Sequence, residues 1–316
     1  WSSDVCSSDL LKKMRREFEY WYPVDLRVSG KDLIGNHLIM FLYNHAAVFP
    51  DKMPKSIFTN GFLKLNDEKM SKSTGNFLTL NDAIQRYSAD VVRFTLGMGG
   101  DSNEDANFME ATANNMVRNI TNTIAQLETT LKTKEDSFRH SKGGDNENEN
   151  EFFFDKVFEN QIENAVFNVT AGYESMSFRN VVKYGFYDME EQLKKYTGVC
   201  HSIKPRYDLI MKYYETLCVI MSPIIPHACE YMWGLLAKST SVKQASWPKQ
   251  GKIDHKLSRS TIFFKKLCTL YERRLRNRIK QGRKGKFHLS ILCICTQRTP
   301  TLIGTSKRLR LQSKFM

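Results

Sequence analysis

The chain has 316 residues, of which 41% are hydrophobic, 12% aromatic and 26% charged, a composition typical of a soluble globular protein with room for two domains. No apolar run approaches the ~20 residues that cross a bilayer, so we expect no membrane partner. The seven cysteines lack zinc-ligand spacing, which argues against a cysteine metal site and favours reduced thiols in a cytosolic compartment.

The net charge of +13 is unevenly distributed along the chain. Residues 251–316 contain 18 of the 47 Lys and Arg but 2 of the 34 Asp and Glu, which leaves 29 basic and 32 acidic side chains in residues 1–250. This concentration of positive charge predicts a polyanionic partner for the C-terminal part.

The first ten residues show no periodicity that continues into the residues after them. We interpret residues 1–10 as an assembly artefact, and the start at Trp1 as the sign of a fragment.

Residues 25–29 predict a short strand that leads into Gly30, Asp32 and an amphipathic helix. Glycine at the end of a strand lets a nucleotide approach the backbone, and Asp32 can cap the helix or accept hydrogen bonds from ribose hydroxyls. A lone Gly-x-Asp is more often a simple helix cap. The helical spacing predicts one buried face, formed by Leu33, His37, Leu38, Phe41, Leu42 and His45.

A second β-rich segment covers residues 56–65 and is interrupted at Asn60-Gly61, and Asn66-Asp67 then turns the chain into a polar loop. From the order of these elements we expect this loop to lie at the same sheet edge as Gly30.

The polar loop at residues 69–76 is the most informative motif, and it reads Lys69-Met70-Ser71-Lys72-Ser73-Thr74-Gly75-Asn76. Its two ammonium groups supply point charges, and its hydroxyls and backbone N–H groups supply directed donors. Such groups stabilise polyphosphate best where negative charge develops in a transition state. A solvated Lys/Ser loop is the alternative, and it would be preferred for a lone Lys-x-x-Lys.

From Thr79 onwards the pattern is helical, with Thr79 and Ser88 as predicted N-caps of two short helices. The acidic, Asn/Glu-rich segment 134–151 predicts a disordered loop. Longer helices are predicted at roughly 107–132, 152–174, 177–197, 205–236 with a break near Pro223 and Pro226, and 256–281.

Residues 265–286 contain ten Lys/Arg and one acidic residue around an apolar stripe. This pattern predicts a basic helix that binds nucleic-acid phosphates, with a membrane-surface helix as the rival interpretation. Residues 287–316 lose helical patterning. We interpret them as an irregular tail from intron read-through or a frameshift, with a disordered basic tail as the alternative.

Four segments carry a family resemblance: residues 18–27, 29–38, 60–76 and 101–108. The octet resembles the KMSKS signature of class I aminoacyl-tRNA synthetases, and the other segments resemble the cytosolic leucyl branch of eukaryotic or archaeal type. The resemblance covers about residues 15–285. Valyl, isoleucyl and methionyl synthetases share the lysine loop and remain alternatives.

The resemblance implies an α/β fold followed by an all-α fold. The C-terminal part of a Rossmann-like catalytic domain would occupy residues 11–78, and a connector that contacts the tRNA stem would occupy 79–106. A helical anticodon-binding domain would follow at 107–250, and the basic helix at 251–286.

The function that the resemblance implies is ATP-dependent ligation of leucine to tRNA(Leu) through leucyl-adenylate, in the cytoplasm. ATP would be the cofactor, with Mg²⁺ carried by the nucleotide and no other metal, and a multi-synthetase assembly is a candidate partner. Lys69 and Lys72 would be catalytic. The ATP-binding residues would be Gly30, Asp32, His37, Met70, Ser71 and Ser73.

For His37 a satisfied core histidine is the competing interpretation, and we interpret His227 as structural. The tRNA-binding residues would be Arg86, Arg93, Arg273, Arg274, Arg276, Arg278 and Lys280, although single helix-surface arginines are often simply solvated.

Three features of the whole enzymes are missing from this sequence, and one of them is the first half of the nucleotide fold. None of the seven histidines has a second histidine three residues away, so the His-x-Gly-His motif is absent. The editing domain, which such enzymes need because binding alone separates small apolar side chains poorly, is absent as well. We therefore expect a truncated piece that is inactive alone, and a non-catalytic tRNA-binding module is the alternative from a different class.

Overall fold

The computed structural model describes residues 8–101, 104–133, 137–139, 152–200 and 204–263, together with Lys266, Leu270 and Arg273. The chain divides into two compact units, residues 1–252 and 253–316, which we describe separately. The predicted contacts Arg274, Arg276, Arg278 and Lys280 and the tail 287–316 lie outside the described residues.

The first unit opens with helix α1 (Ser8–Trp21), which begins inside the segment 1–10 that we interpreted as an assembly artefact. Strand β1 (Arg27–Gly30) and strand β2 (Ile57–Asn60) pair in parallel, and Gly30 lies opposite Asn60. Between them the chain passes through a 3₁₀ turn (Lys31–Leu33), a π turn (Ile34–Leu38) and helix α2 (Ile39–Val48). This βαβ arrangement confirms the predicted strand, glycine and helix, and it brings the ends of both strands to one edge.

A second, three-stranded sheet has the strand order β4-β3-β5. Strand β3 (Leu63–Leu65) pairs antiparallel with β4 (Glu68–Lys69) and parallel with β5 (Ala106–Phe108). Asn66 and Asp67 join β3 to β4 with φ values of 51° and 68°. Positive φ at both central residues is the backbone of a type I′ hairpin turn, whose twist matches that of the flanking strands.

The predicted short helices are confirmed as α3 (Leu80–Tyr87) and α4 (Ala89–Gly99). The Thr79 hydroxyl accepts a hydrogen bond from the Asp82 N–H, and the Ser88 hydroxyl accepts one from the Val91 N–H. Each side chain thus satisfies an N–H group that has no partner within its own helix.

The helical body consists of long helices that pack around a common core, as predicted. They are α5 (Glu110–Lys132), α6 (Phe153–Glu174), α7 (Phe178–Val182), α8 (Met189–Val199), α9 (Tyr207–Met221) and α10 (Pro226–Leu235). A short 3₁₀ turn follows at Val242–Gln244. The core includes the buried side chains of Phe94, Met116, Phe158, Phe186, Tyr213 and Ile220.

One predicted helix differs from the structure. The pattern at 177–197 predicts a single helix, but a π turn at Lys183–Asp188 joins α7 to α8. Gly185 lies inside this π turn, where an added Cβ would be 2.7 Å from Met221 Sδ and 3.0 Å from Val169 Cγ2. The wider turn changes the phase of the helix, and both Gly185 and Phe186 are buried.

Arg139 belongs to the segment 134–151 that we predicted to be a disordered loop, but in the structure its side chain has fixed partners. Its guanidinium donates to both carboxylate oxygens of Asp155, at 2.8 and 3.0 Å, and the Tyr196 hydroxyl donates to the same carboxylate at 2.6 Å. Asp155 is 2% exposed, so this pair neutralises a buried charge. The rest of the predicted loop, apart from residues 137–139, lies outside the described residues.

The buried thiols of the body are Cys200, Cys218 and Cys229. Burial raises the pKa of Cys218 to about 12. Within the described ranges, no helix combines the length and the hydropathy needed to cross a membrane.

In the second unit, residues 255–263 are helical. The Asp254 carboxylate caps this helix by accepting hydrogen bonds from the N–H groups of Lys256 and Leu257, at 2.8 and 3.0 Å. Arg273, the one predicted tRNA contact of this unit that is described, is helical and exposed.

Candidate nucleotide site and signature loop

Gly30 and Asp32 lie together at the end of β1. A Cβ placed on Gly30 would be 2.6 Å from Asp32 Oδ1, so the absence of a side chain at residue 30 leaves space for this carboxylate. Within the described part of the chain, Asp32 makes no hydrogen bond or ion pair, so its predicted capping role is not seen. Its exposed carboxylate is available to an external hydroxyl donor.

Lys31 links this strand end to the second sheet. Its ammonium lies 2.6 Å from Asp105 Oδ1 and 5.0 Å from the centre of the Phe62 ring. The Phe62 N–H donates to the same carboxylate oxygen at 3.0 Å. These two donors, the Lys31 hydrogen bond above all, lower the pKa of Asp105 and keep it ionised. A Cβ at Gly61 would overlap the carbonyl of Glu104, so glycine is needed where β3 approaches this segment.

His37 is exposed, which rules out the competing interpretation of a core histidine. Its Nε2 lies 3.0 Å from Arg27 Nη2, and its ring stacks on Phe41 at 6.5 Å. The role of His37 toward ATP stays a prediction.

The signature loop is closed by its own hydrogen bonds. The Ser71 N–H donates to the Asn76 carbonyl at 2.9 Å, and the Gly75 N–H donates to the Lys72 carbonyl at 3.3 Å. Gly75 has a φ of +74°, which a glycine adopts without strain. The Ser71 and Ser73 hydroxyls lie 2.8 Å apart, so these two side chains contact each other within the loop.

Lys69 and Lys72 are both exposed on this loop, and within the described ranges neither makes an ion pair. Met70, between them, is half-buried and packs against the core, and its role toward ATP stays a prediction. Among the described residues, the loop thus exposes two lysine side chains without ion-pair partners, while its backbone is held by its own hydrogen bonds and by the packing of Met70.

Lys64 is a candidate that sequence reasoning missed. It lies directly opposite Lys69 in the β3–β4 ladder, so two ammonium side chains occupy neighbouring positions. Like charges placed opposite each other are unfavourable without an anion between them. The two-residue turn at Asn66-Asp67 fixes this register. Assigning that turn length from the sequence is the signal that could have found the Lys64–Lys69 pair.

The topology brings the loop back towards Gly30. Strand β4 runs antiparallel to β3, so residues after Lys69 run back in the direction of Phe62, whose ring contacts Lys31. Lys31 directly follows Gly30. From this topology we expect the signature loop and the Gly30–Asp32 segment to lie at the same end of the two sheets, and their proximity stays a prediction.

The two predicted tRNA contacts in the connector have partners within the protein. Arg93 donates from Nε to the Ile224 carbonyl at 3.0 Å and from Nη2 to the Pro223 carbonyl at 2.7 Å. Arg86 lies 3.8 Å from Glu110. These contacts favour a structural role for Arg93 and leave Arg86 mostly exposed.

Two connector carboxylates cap helices of the body. Asp90 accepts hydrogen bonds from the Ala228 N–H at 2.7 Å and the His227 N–H at 3.3 Å, and it lies 2.9 Å from His227 Nδ1. Asp101 accepts hydrogen bonds from the Arg179 N–H and the Ser177 hydroxyl, at 2.9 and 3.1 Å. Each cap places a negative charge at the positive end of a helix, and the structural role of His227 stays a prediction.

Among the residues that the structure describes, no group of three or more His, Cys, Asp or Glu side chains is placed to hold a metal ion.

Family models match two stretches of the chain. The model of class I tRNA synthetases of the (M) type matches residues 5–131, and the model of the anticodon-binding domain of tRNA ligases matches residues 155–291.

Curated relatives are cytoplasmic leucine–tRNA ligases. The chain is 38% identical to that of Pongo abelii over 283 residues, which is 89% of this chain and 23% of the relative. It is 40% identical to that of Saccharomyces cerevisiae over 247 residues, which is 77% of this chain and 21% of the relative. The chain thus spans about a quarter of the length of the relatives that it matches.

Solved structures show the same fold at lower identity. A ternary complex of the Agrobacterium radiobacter K84 agnB2 LeuRS with tRNA and LeuAMS matches with a TM-score of 0.56 at 19% identity, covering 74% of this chain and 29% of that one. Mycobacterium tuberculosis methionyl-tRNA synthetase matches with a TM-score of 0.53 at 18% identity, covering 68% and 44%. The predicted α/β fold followed by a helical anticodon-binding domain is confirmed, and the chain belongs to the class I aminoacyl-tRNA synthetases.

Proposed function

We propose that this chain forms the signature-loop and anticodon-binding part of a leucine–tRNA ligase. The identity of 38–40% to cytoplasmic leucine–tRNA ligases supports leucine over valine, isoleucine and methionine. The names of these relatives also support a cytoplasmic location. The expected multi-synthetase assembly stays a prediction.

The observation that carries the catalytic part is the pair of exposed, unpaired lysines on a closed loop. In amino-acid activation a carboxylate oxygen attacks the α-phosphorus of ATP, and the bond to pyrophosphate breaks. Negative charge then grows on the leaving pyrophosphate, where Lys69 and Lys72 would stabilise it more than they stabilise bound ATP. Lys64, opposite Lys69, adds a third positive charge at the same place.

The adenosine end of ATP would lie at the end of β1. The absence of a side chain at Gly30 leaves space for the Asp32 carboxylate, which would accept hydrogen bonds from ribose hydroxyls. Met70, Ser71 and Ser73 would hold the loop shape, and His37 would face the same nucleotide. As the resemblance implies, Mg²⁺ would be brought by the phosphate oxygens of ATP.

The test is ATP–pyrophosphate exchange by the longest natural polypeptide that contains this sequence, with leucine, valine, isoleucine and methionine supplied separately. We expect exchange with leucine, and Lys72→Ala should lower kcat by about 100-fold with little change in the KM for ATP. Lys55→Ala is the matched control, because Lys55 is an exposed lysine of the same region, paired with Asp25. A rise in KM without a fall in kcat would contradict the transition-state role.

A second candidate function is tRNA binding without catalysis by the chain itself. The excess of basic residues in 251–316 favours it, because such charge binds phosphate backbones without reading bases. A titration of this chain with tRNA at several salt concentrations checks this candidate. We expect affinity to fall steeply as salt rises, and an affinity independent of salt would contradict it.

A further inference from the structure

The turn between β3 and β4 decides where the signature lysines lie. Asn66 and Asp67 form its two central residues, and Lys69 follows two residues later in strand β4. A hairpin of this size is marginally stable by itself. The position of Lys69 therefore depends on what holds the turn in place.

Asn66 is bound to Glu110 by two reciprocal hydrogen bonds. Asn66 Oδ1 accepts from the Glu110 N–H at 3.1 Å, and Asn66 Nδ2 donates to Glu110 Oε2 at 2.9 Å. Glu110 is the first residue of α5, so Asn66 supplies an N-terminal cap to this helix from a distance of 44 residues in sequence. The second carboxylate oxygen of Glu110 accepts from the Tyr87 hydroxyl at 2.9 Å, which fixes its orientation.

Asp67 is bound to Asn107 in the same reciprocal way. The Asp67 N–H donates to Asn107 Oδ1 at 2.9 Å, and Asn107 Nδ2 donates to Asp67 Oδ1 at 2.7 Å. Asn107 lies in β5, whose parallel pairing with β3 sets the register. Both left-handed residues of the turn are thus held from the neighbouring segment 107–110.

We propose that the two reciprocal pairs, Asn66–Glu110 and Asp67–Asn107, position the signature loop by fixing its hairpin to the start of α5 and to strand β5. The four residues are positioning residues, since none of them contacts the substrate in this proposal. The role in catalysis rests on the proposed function, whereas the mechanical link can be tested without it.

Hydrogen exchange of this chain tests the link directly. Asn66→Gly removes the side-chain pair but keeps a residue that adopts positive φ, so the turn backbone is preserved. Asn107→Ala removes the second pair. In the double variant we expect the Ser71 amide to exchange at least about tenfold faster, because the four hydrogen bonds of the two pairs are lost. Amides in α9 should keep their protection.

Two comparisons make the outcome decisive. Lys72→Ala is the matched control, since it removes a loop side chain but neither pair, and it should leave the Ser71 amide unchanged. Asp67→Gly should give a smaller increase in the exchange rate of the Ser71 amide. It deletes the hydrogen bond to the Asp67 carboxylate but keeps the backbone N–H of residue 67, which donates to Asn107 Oδ1. The link is refuted if the double variant exchanges like the unmodified chain, or if α9 loses protection to the same extent.

Pyrophosphate exchange by the longest natural polypeptide then tests the catalytic consequence. We expect the double variant to lower kcat about tenfold while the KM for ATP changes less than about twofold, because a loosely held loop still binds but places its charges poorly. Loss of affinity alone would overturn the positioning role. If Lys72→Ala keeps full activity while the hydrogen-exchange result holds, the proposed function fails and the mechanical link stands.

Discussion

The region at 8–78 and the helical body at 79–250 differ in how completely they bury their apolar side chains. In the first region Trp21 is 67% and Tyr43 73% exposed, whereas Phe94, Met116 and Ile220 in the body are fully buried. Stability that comes from packing is therefore concentrated in the body. The first region owes its position largely to specific links, among them Lys31–Asp105 and Asn66–Glu110.

The polar groups show the same contrast. Three buried side-chain atoms have no hydrogen-bond partner among the described residues, Arg27 Nε, Ser29 Oγ and His45 Nε2, and all three belong to the first region. In the body, by contrast, even helix starts are capped by carboxylates from another element. Buried polar groups without partners raise the free energy of the folded state, so the first region should open more easily than the body.

The largest expected effect is in the core of the body. Phe94 packs edge-to-face on Phe186 and Tyr187, with ring centres 5.3 and 5.6 Å away. Phe94→Ala leaves a cavity and should lower the free energy of unfolding by about 3–5 kcal/mol. Denaturant unfolding followed by circular dichroism measures it. A cost below 1 kcal/mol would mean that the core is less well packed than its burial indicates.

A smaller effect is expected where the connector meets the body. Asp90→Ala leaves the start of α10 without its cap and should cost about 2 kcal/mol in the same unfolding measurement. His227→Ala is the control, because this side chain is 80% exposed and contributes a single contact to Asp90. Equal costs for both variants would assign the stabilisation to the histidine ring and not to the cap.

Acid should weaken the link between the two regions. The hydrogen bonds from Asn66 and Tyr87, together with nearby Arg86, lower the pKa of Glu110 from its ordinary value of 4.5. A lowered pKa stabilises the folded state above 4.5, and this stability is lost as pH falls through the folded-state value. Glu110 is one-third exposed, so the effect is smaller than that of Asp90→Ala.

Unfolding of the unmodified chain and of Glu110→Gln between pH 6 and pH 3 measures this contribution. We expect the variant to lose less stability on acidification, because one group with a lowered pKa has been removed. Parallel curves for the two proteins would contradict the link.

The smallest effect is expected on the exposed face of the first region. Tyr43→Ser should change the free energy of unfolding by less than about 0.5 kcal/mol, since the side chain is largely in contact with water. Thermal unfolding of the variant checks it. A cost as large as that of Phe94→Ala would show that Tyr43 is covered in solution, and it would remove the contrast between the two regions.

Features that depend on near neighbours could be predicted from the sequence. The caps at Thr79 and Ser88 act on N–H groups three residues away, and the strand that ends at Gly30 is marked by its own glycine. Most helices of the body follow from apolar periodicity, although the π turn between α7 and α8 does not. The signature loop was recognised from its contiguous octet, and the catalytic role of Lys69 and Lys72 stays a prediction.

Features that depend on distant residues could not be predicted. Lys31 meets Asp105 across 74 residues, and Arg93 meets Ile224 across 131. No periodicity connects such pairs, which exist because the fold brings two elements together. Arg93 was for this reason predicted as a phosphate contact, although its donors are directed to backbone carbonyls.

The buried thiols Cys218 and Cys229 can report when the core of the body opens. Burial raises the pKa of Cys218 to about 12 and that of Cys229 well above its usual value, so at neutral pH neither sulfur is the reactive thiolate. An alkylating reagent would modify these two cysteines only when the core opens and exposes them. The extent of labelling would therefore compare the opening around α9 and α10 in the presence and absence of tRNA.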